Sequence, residues 1–389
     1  MKKILLIILL CFFLLWSACS KREEQDSQAR VEIVGSVTYI HNTAEPIHPD
    51  KTVLFEKDLS IRSEDEEGNI VLFDPRLYLV DSDENIYISE STDQVIKVFS
   101  SDGEYIKTIG AKGDGPGEFQ SIGYIGFTPE GSFVVMDNQA RRTNLFDASG
   151  QFLKSFSWQN FFLRAFLFKN NSYLCQENVY GENRQDRKLF VKEIDYDGNE
   201  IRSYGEFTLA QMKMIREGNS TFSMSMPHSP QSIFAGDQNR EWLYHCLNNQ
   251  YIIEVYDNSG KIFRKIDRPY EPVPFTDKER KEYRERYESS PNEMFKKLAK
   301  EMELPKVKSI TNRMLVDDES YLWLQTYEQR KEGDQIITAY DVFNSEGHYY
   351  ARVWCEINPG LFIKGKMYRM ETDQETGYRT LSRYRVVWN

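Results

Sequence analysis

Positive charge is what this chain most lacks: 60 acidic residues against 49 basic ones give a net charge of −11 and a pI near 5.2. Nucleic acid is densely negative and calls for a basic face, so a nucleic-acid partner is not expected. Histidine is scarce as well. The five, His41, His48, His228, His245 and His348, include no close pair of zinc-ligand spacing. No Gly-x-Ser-x-Gly nucleophile elbow occurs. The Gly-rich GAKGDGPGEF at 110–119 lacks the Lys-Ser/Thr ending of a phosphate-binding loop. No metal, cofactor or catalytic set is therefore assigned. Long apolar runs are missing too: Ile4–Trp16 is 13 residues, short of the about 20 that cross a bilayer as a helix.

That short run fits an export signal. Lys2 and Lys3 precede it, and Ser17, Ala18 and Cys19 follow it. The tetrad Trp16-Ser17-Ala18-Cys19 resembles a bacterial lipobox, with Trp16 in the place of the usual Leu. It implies a signal peptide over 1–18 and lipidation of Cys19; an ordinary signal peptide cut near Ala18 is the alternative. Acyl chains on Cys19 would anchor the chain to membrane, since two chains hold where one is marginal. Ser20 is not the Asp that favours inner-membrane retention, and Lys21, Arg22, Glu23 and Glu24 resemble the charged export signal of surface lipoproteins. The expected address is the outer membrane, surface-exposed, with a periplasm-facing anchor as the alternative. Residues 19–30 are polar, without apolar period, and read as a flexible tether. Of the five cysteines, Cys175, Cys246 and Cys355 remain beyond this region, an odd number read as buried free thiols.

From residue 31 to 389 one motif recurs five times: apolar strand, glycine turn, apolar strand. It reads VFSSDGEYI at 98–106, LFDASGQFL at 145–153, EIDYDGNEI at 193–201, VYDNSGKIF at 255–263 and VFNSEGHYY at 342–350. Glycine where φ must be positive, between alternating Val, Ile, Phe and Tyr, is a hairpin signal. The first two intervals, Gly103 to Gly150 to Gly198, are 47 and 48 residues. A period near 45 with about four strands is that of a β-propeller. Such a fold grows by adding thin layers, which suits a chain beyond the roughly 250–300 residues where single cores stop growing. In the first blade the strands fall at Leu77–Asp81, Ile86–Glu90, Val95–Phe99 and Tyr105–Ile109. The last segment, Leu361–Val387, supplies about three strands, so the ring should close with a strand from Val31–Ile40 or Thr52–Leu59. The fold class is thus all-β: a six-bladed propeller of four-stranded antiparallel blades, with seven blades as the alternative count.

The stretch 107–137, KTIGAKGDGPGEFQSIGYIGFTPEGSFVVMD, carries a specific resemblance. Gly110, Lys112, Gly113, Gly115, Pro116, Gly117, Glu118 and Phe119 match the G-x-K-G-x-G-P-G-E-[FY] signature of six-bladed, NHL-like β-propeller lipoproteins of Bacteroidota-type bacteria. The resemblance implies a fold and an extracytoplasmic address, and says little about a reaction.

Residues 275–305 break the strand rhythm. Thr276 with Glu279 and Ser290 with Glu293 read as capping boxes, Pro291 as a first helical residue and Pro305 as a stop, predicting a two-helix insertion between blades four and five. Phe295, Leu298 and Met302 form an apolar stripe. Strands alternate direction, so this insertion, the Gly-rich segment, 178–188, 205–230 and 327–335 all emerge on one face, the candidate binding face. Arg76, Arg164 and Arg313 begin innermost strands there, beside Glu90, Asp137, Glu177 and Gln325 at the ends of second strands. Arginine's planar fork suits carboxylate, phosphate or sulfate; the competing explanation is that these arginines pair with the carboxylates and stiffen the ring. Asp81, Asp83 and Asn85 have calcium-loop spacing but Ile86 at the glycine position, and Asp195, Asp197 and Asn199 fall in a hairpin turn; both read as acidic turns. The expected function is a membrane-anchored, non-catalytic module that binds protein, peptide or glycan. A propeller lyase or lactonase with a channel-centred site is the alternative.

Overall fold

The residue that opens each repeated turn also closes it. Ser100, Asp147, Asp195, Asp257 and Asn344 accept the turn glycine's N–H on their carbonyl oxygens at 2.9–3.1 Å. Their side-chain oxygens accept the N–H four residues on. The five glycines have φ between +80° and +92°, and the strand register slips beside every turn, as in a G1 bulge. Local chemistry therefore writes the same hairpin five times.

A computed structural model describes residues 29–62, 72–158, 161–169, 171–181, 187–217, 220–373 and 377–389. The signal segment, Cys19 and most of the tether lie outside the described residues. Strands β1 (Ala29–Val34), β2 (Val37–Asn42) and β3 (Val53–Ile61) come first. Blade one is β4 (Pro75–Val80), β5 (Ile86–Glu90), β6 (Val95–Phe99) and β7 (Tyr105–Ile109); blade two is β8 (Ile122–Phe127), β9 (Phe133–Asp137), β10 (Arg142–Phe146) and β11 (Phe152–Ser157). Blade three is β12 (Phe161–Lys169), β13 (Ser172–Tyr180), β14 (Arg187–Asp195) and β15 (Glu200–Phe207), followed by a separate hairpin, β16 (Met212–Glu217) and β17 (Ser220–Ser225). Blade four is β18 (Ser232–Asp237), β19 (Trp242–Leu247), β20 (Ile252–Tyr256) and β21 (Ile262–Asp267), followed by α1 (Asp277–Glu288) and α2 (Glu293–Lys300). Blade five is β22 (Thr311–Val316), β23 (Leu322–Glu332), β24 (Gln335–Phe343) and β25 (Tyr349–Cys355). Blade six takes β26 (Leu361–Ile363), β27 (Lys366–Thr372) and β28 (Arg379–Trp388) from the C-terminus and β3 from the N-terminus, antiparallel to β28.

The six-bladed propeller expected from the repeat is thus present, and of the two candidate closing strands it is the second that closes the ring. The first finds a different place. β2 lies parallel to β21 at the rim of blade four and β1 pairs outside it, so that sheet has six strands. Ile40 of β2 is 3% exposed, and Asn42 exchanges hydrogen bonds with Gly347 and Tyr349 of blade five. β1 also takes in Ala29 and Arg30, which the composition had placed in the tether.

The core is six separate layers. One apolar cluster lies between each pair of neighbouring blades, for example Val255 and Ile266 against Leu324 and Phe343, or Trp323 and Val353 against Phe362 and Met367. Each turn glycine presses against the preceding blade's outer strand; a Cβ on Gly150 would stand 2.6 Å from Ile109 Cδ1. Cys175, Cys246 and Cys355 are buried free thiols, as expected, and burial drives all three pKa values up.

The first predicted capping box is present: Thr276 Oγ1 accepts from Glu279 N, and Glu279 returns a bond to Thr276 N. The second is not. Asn292 caps α2, accepting from Met294 N, while Ser290 Oγ only steadies Asn292 N, so Pro291 precedes the helix. Asn is as good a cap as Ser, and its position two residues later moves the start.

Candidate functional site: the loop-rich mouth

Strands β4, β8, β12, β18, β22 and β26 each occupy one end of their sheet, and those of blades one to five approach their neighbours in succession around the axis. On the face where their links leave the ring, the β16–β17 hairpin and the two helices pack on one another as a cap. Leu298 and Met302 bury against Met224, with Ile215, Phe222, Tyr283, Tyr287 and Phe295 around them, a seventh apolar cluster separate from the blade layers. The insertion has a closed neck: Phe275 N donates to Lys306 O at 2.9 Å and Lys308 N to Val273 O at 2.8 Å. His228 sits where hairpin, neck and blade five meet. Its Nδ1 accepts from Ser309 N at 3.2 Å, and its ring packs on Phe275 and Tyr327. Burial first, then Lys308, lowers its pKa below the ordinary value.

The sequence-selected residues play different parts here. Glu90 is wholly buried and accepts backbone N–H from Phe73, Asp74 and Thr92. Asp137, its counterpart in blade two, does the same for Gln120, Ser121 and Ala140. These acids hold the chain as it enters the innermost strand. Arg76 forks onto Asp74 instead of Glu90, and Glu177 pairs with Lys192 at 2.6 Å. Arg164 lies on β12 opposite Gln176, and its side chain is outside the described residues. The Gly-rich segment is consumed internally: Phe119 is wholly buried over Gly110, Glu118 accepts from Gly115 N, and Arg142 donates to the carbonyls of Asp114, Gly115 and Glu118. Its glycines make room for Phe119 and Glu118, as a tight passage between blades requires.

Arg313 stands apart, because no hydrogen bond or ion pair engages its guanidinium among the described residues. It lies in register with Gln325 and Tyr340 across β22, β23 and β24. Trp323, two residues from Gln325, stacks on Phe362, so this side of blade five faces blade six. There Asn358 accepts from Tyr340 Oη at 3.0 Å and from Gln325 Nε2 at 3.5 Å, while Arg369 donates to its carbonyl at 3.2 Å. Arg369 Nε is buried without a hydrogen bond, 3.8 Å from Glu371 Oε1. Burial raises the Tyr78 and Tyr340 phenol pKa values, opposed by the positive field of both Arg313 and Arg369. Sequence reasoning missed Arg369 and Asn358: blade six lacks the repeated glycine turn, and no shift along the chain reaches them.

A second missed cluster locks blade four to blade five. Asp341 is wholly buried and accepts from Arg268 Nε and Nη2, Arg352 Nε, Tyr251 Oη and Tyr349 Oη. Arg268 also lies over the Tyr251 and Tyr349 rings, at 4.9 and 4.6 Å. Burial alone would raise the Asp341 pKa; Arg268 and Arg352 overcome that and lower it.

The acidic turns behave as turns. Asp81 accepts from the N–H of Asp83 and Asn85, and Asp195 from those of Asp197 and Asn199. No metal-competent cluster of His, Cys, Asp and Glu occurs among the described residues. A groove of about 900 Å³ runs between the outer strands of blades five and six, walled by Pro46, Phe55, Arg330 and Trp354.

A family profile described as a 6-bladed beta-propeller, DUF5128, matches residues 77–240, from blade one into blade four. No curated protein matches the sequence significantly. A DUF4221 member from Bacteroides vulgatus is similar with 10% identity and a TM-score of 0.51, over 87% of this chain and 99% of that one. A protein described as exported from Bacteroides fragilis is similar with 11% identity and a TM-score of 0.52, over 90% and 99%. A virginiamycin B lyase from Staphylococcus aureus aligns at 11% identity with a TM-score of 0.39, over 82% and 86%. Identities this low speak to the fold alone.

Proposed function

We propose that this six-bladed, NHL-like β-propeller is an extracytoplasmic lipoprotein that binds a protein, peptide or glycan through its capped, loop-rich mouth. The observation that carries the proposal is the one-sided cap. Two links from adjacent blades leave the ring on the same face and pack on each other in an apolar cluster of their own. A rigid scaffold that elaborates one face in this way presents that face to a partner. The lipid anchor rests on Ser17-Ala18-Cys19 and the short apolar run before it. It accords with the exported neighbour in Bacteroides fragilis.

The test has two arms. Cys19→Ala protein should appear in the soluble fraction while the wild type sediments with membrane; equal partitioning refutes the anchor. Peptide and glycan arrays probed with the soluble chain from Ser20 onward should give binding that falls when residues 276–305 are replaced by a short Gly-Ser linker. Undiminished binding to the same ligands refutes a role for the cap.

A further inference from the structure

We infer that the rim between blades five and six is an oxyanion site, in which Arg313 and Arg369 grip a carboxylate, sulfate or phosphate group of the ligand entering the mouth. This deepens the binding function proposed above and rests on it. Donors outnumber acceptors at this rim. Arg313 brings a guanidinium with no hydrogen bond or ion pair among the described residues, and Arg369 adds the positive charge of a second guanidinium, its Nη1 donating to the Asn358 carbonyl and its Nε buried. Gln325 Nε2 reaches its acceptor only at 3.5 Å. Against these donors the rim offers Asn358, whose side-chain oxygen already takes Tyr340 Oη at 3.0 Å and whose carbonyl takes Arg369 at 3.2 Å.

Among the described residues the one carboxylate paired with Arg369 is shared with other donors, and none is paired with Arg313. Glu371 is engaged by Lys57, Ser382 and Tyr384 and stands 3.8 Å from Arg369 Nε. A patch rich in donors and poor in acceptors is complementary to an oxyanion, and a guanidinium fork matches the two oxygens of such a group. Blade five holds the fork in place: Arg313 is in register with Gln325 and Tyr340 on strands that the Trp323–Phe362 stack fastens to blade six. Arg76 cannot serve in this way, because Asp74 already occupies its Nε and Nη2.

The probes are acetate, sulfate and inorganic phosphate, titrated at constant ionic strength into the soluble chain, with melting temperature and calorimetry as readouts. The arms separate planar carboxylate from tetrahedral anion. At least one anion should stabilise the wild type. Arg313→Gln should weaken that anion about tenfold or more, as the loss of charge-assisted hydrogen bonds predicts, with Arg313→Lys intermediate and Arg76→Gln unchanged. Equal melting temperatures without anion show that Arg313→Gln folds. The inference is overturned if no anion shifts the wild type, or if Arg313→Gln responds as the wild type does. Array binding that persists in Arg313→Gln overturns the rim site while leaving the capped face standing; its loss there, with the cap intact, supports the site.

Discussion

Two glycines share one backbone conformation and differ in what lies beside them. Gly131, in the β8–β9 turn of blade two, and Gly150, in its β10–β11 turn, both have φ +84°. A Cβ on Gly131 meets nothing within 4 Å, whereas on Gly150 it stands 2.6 Å from Ile109 Cδ1 and 2.9 Å from its Cγ1. Ile109 belongs to blade one and is 4% exposed, enclosed in the layer between the two blades. Substituting alanine costs about 1–2 kcal/mol at either site for the left-handed conformation. At Gly150, forcing apart a packed layer adds about 1–3 kcal/mol. A domain of about 360 residues unfolds with roughly 0.75 kcal/mol per kelvin of entropy, so Gly131→Ala should lower the melting temperature by about 1–3 K and Gly150→Ala by about 3–7 K. Scanning calorimetry of the two variants side by side makes the comparison, because the backbone cost cancels in the difference. If the two melt within about 0.5 K of each other, the turn glycines serve the turn alone and the argument for blade-to-blade contact fails.

Further outcomes follow from the same contacts. Asp341→Asn leaves Arg268 and Arg352 without their shared carboxylate and should cost about 3–5 kcal/mol, some 4–7 K. Because the Asp341 pKa is lowered from 3.8, its stabilisation is full above that value and lost as pH falls through the folded one; the gap between wild type and Asp341→Asn should therefore close only below about pH 4. A gap that closes already near neutral pH contradicts this. Replacing residues 276–305 by a Gly-Ser linker across the Phe275–Lys306 neck should leave one cooperative transition, with hydrogen-exchange protection lost only in β16–β17; global unfolding would place the insertion in the propeller core. His228, flanked by Lys308, Glu279, Phe275, Tyr327 and Ser309, has its pKa lowered from 6.5. Its neutral form then stabilises the junction fully above that value and progressively less as pH falls below it. The Ser309 amide should keep its protection at pH 6.5 and above and lose it as pH falls through the lowered pKa of His228; protection that survives protonation of the imidazole refutes the link.

Sequence alone determined the parts of this protein that are decided within a few residues. A turn glycine, the Ser, Asp or Asn three residues before it and the alternating apolar strands make the same hairpin wherever they occur, so blade number and most strand positions were legible. So was the Thr276 capping box, for the same reason. Tertiary structure decided what depends on partners far along the chain. Which N-terminal strand closes the ring turned on β3 meeting β28, while β2 was drawn to blade four by pairings such as Asn42 with Gly347, 305 residues away. Glu90 and Asp137 look like ligand groups in the sequence, yet the fold brings unpaired backbone N–H groups to them first. Arg313 was visible as a residue but not as a free one, since its freedom depends on no acid among the described residues reaching it from blade six. Arg369, Asn358 and Asp341 acquired their roles only when the ring set one blade against the next, because electrostatic partnership depends on separation in space and leaves no period in the chain.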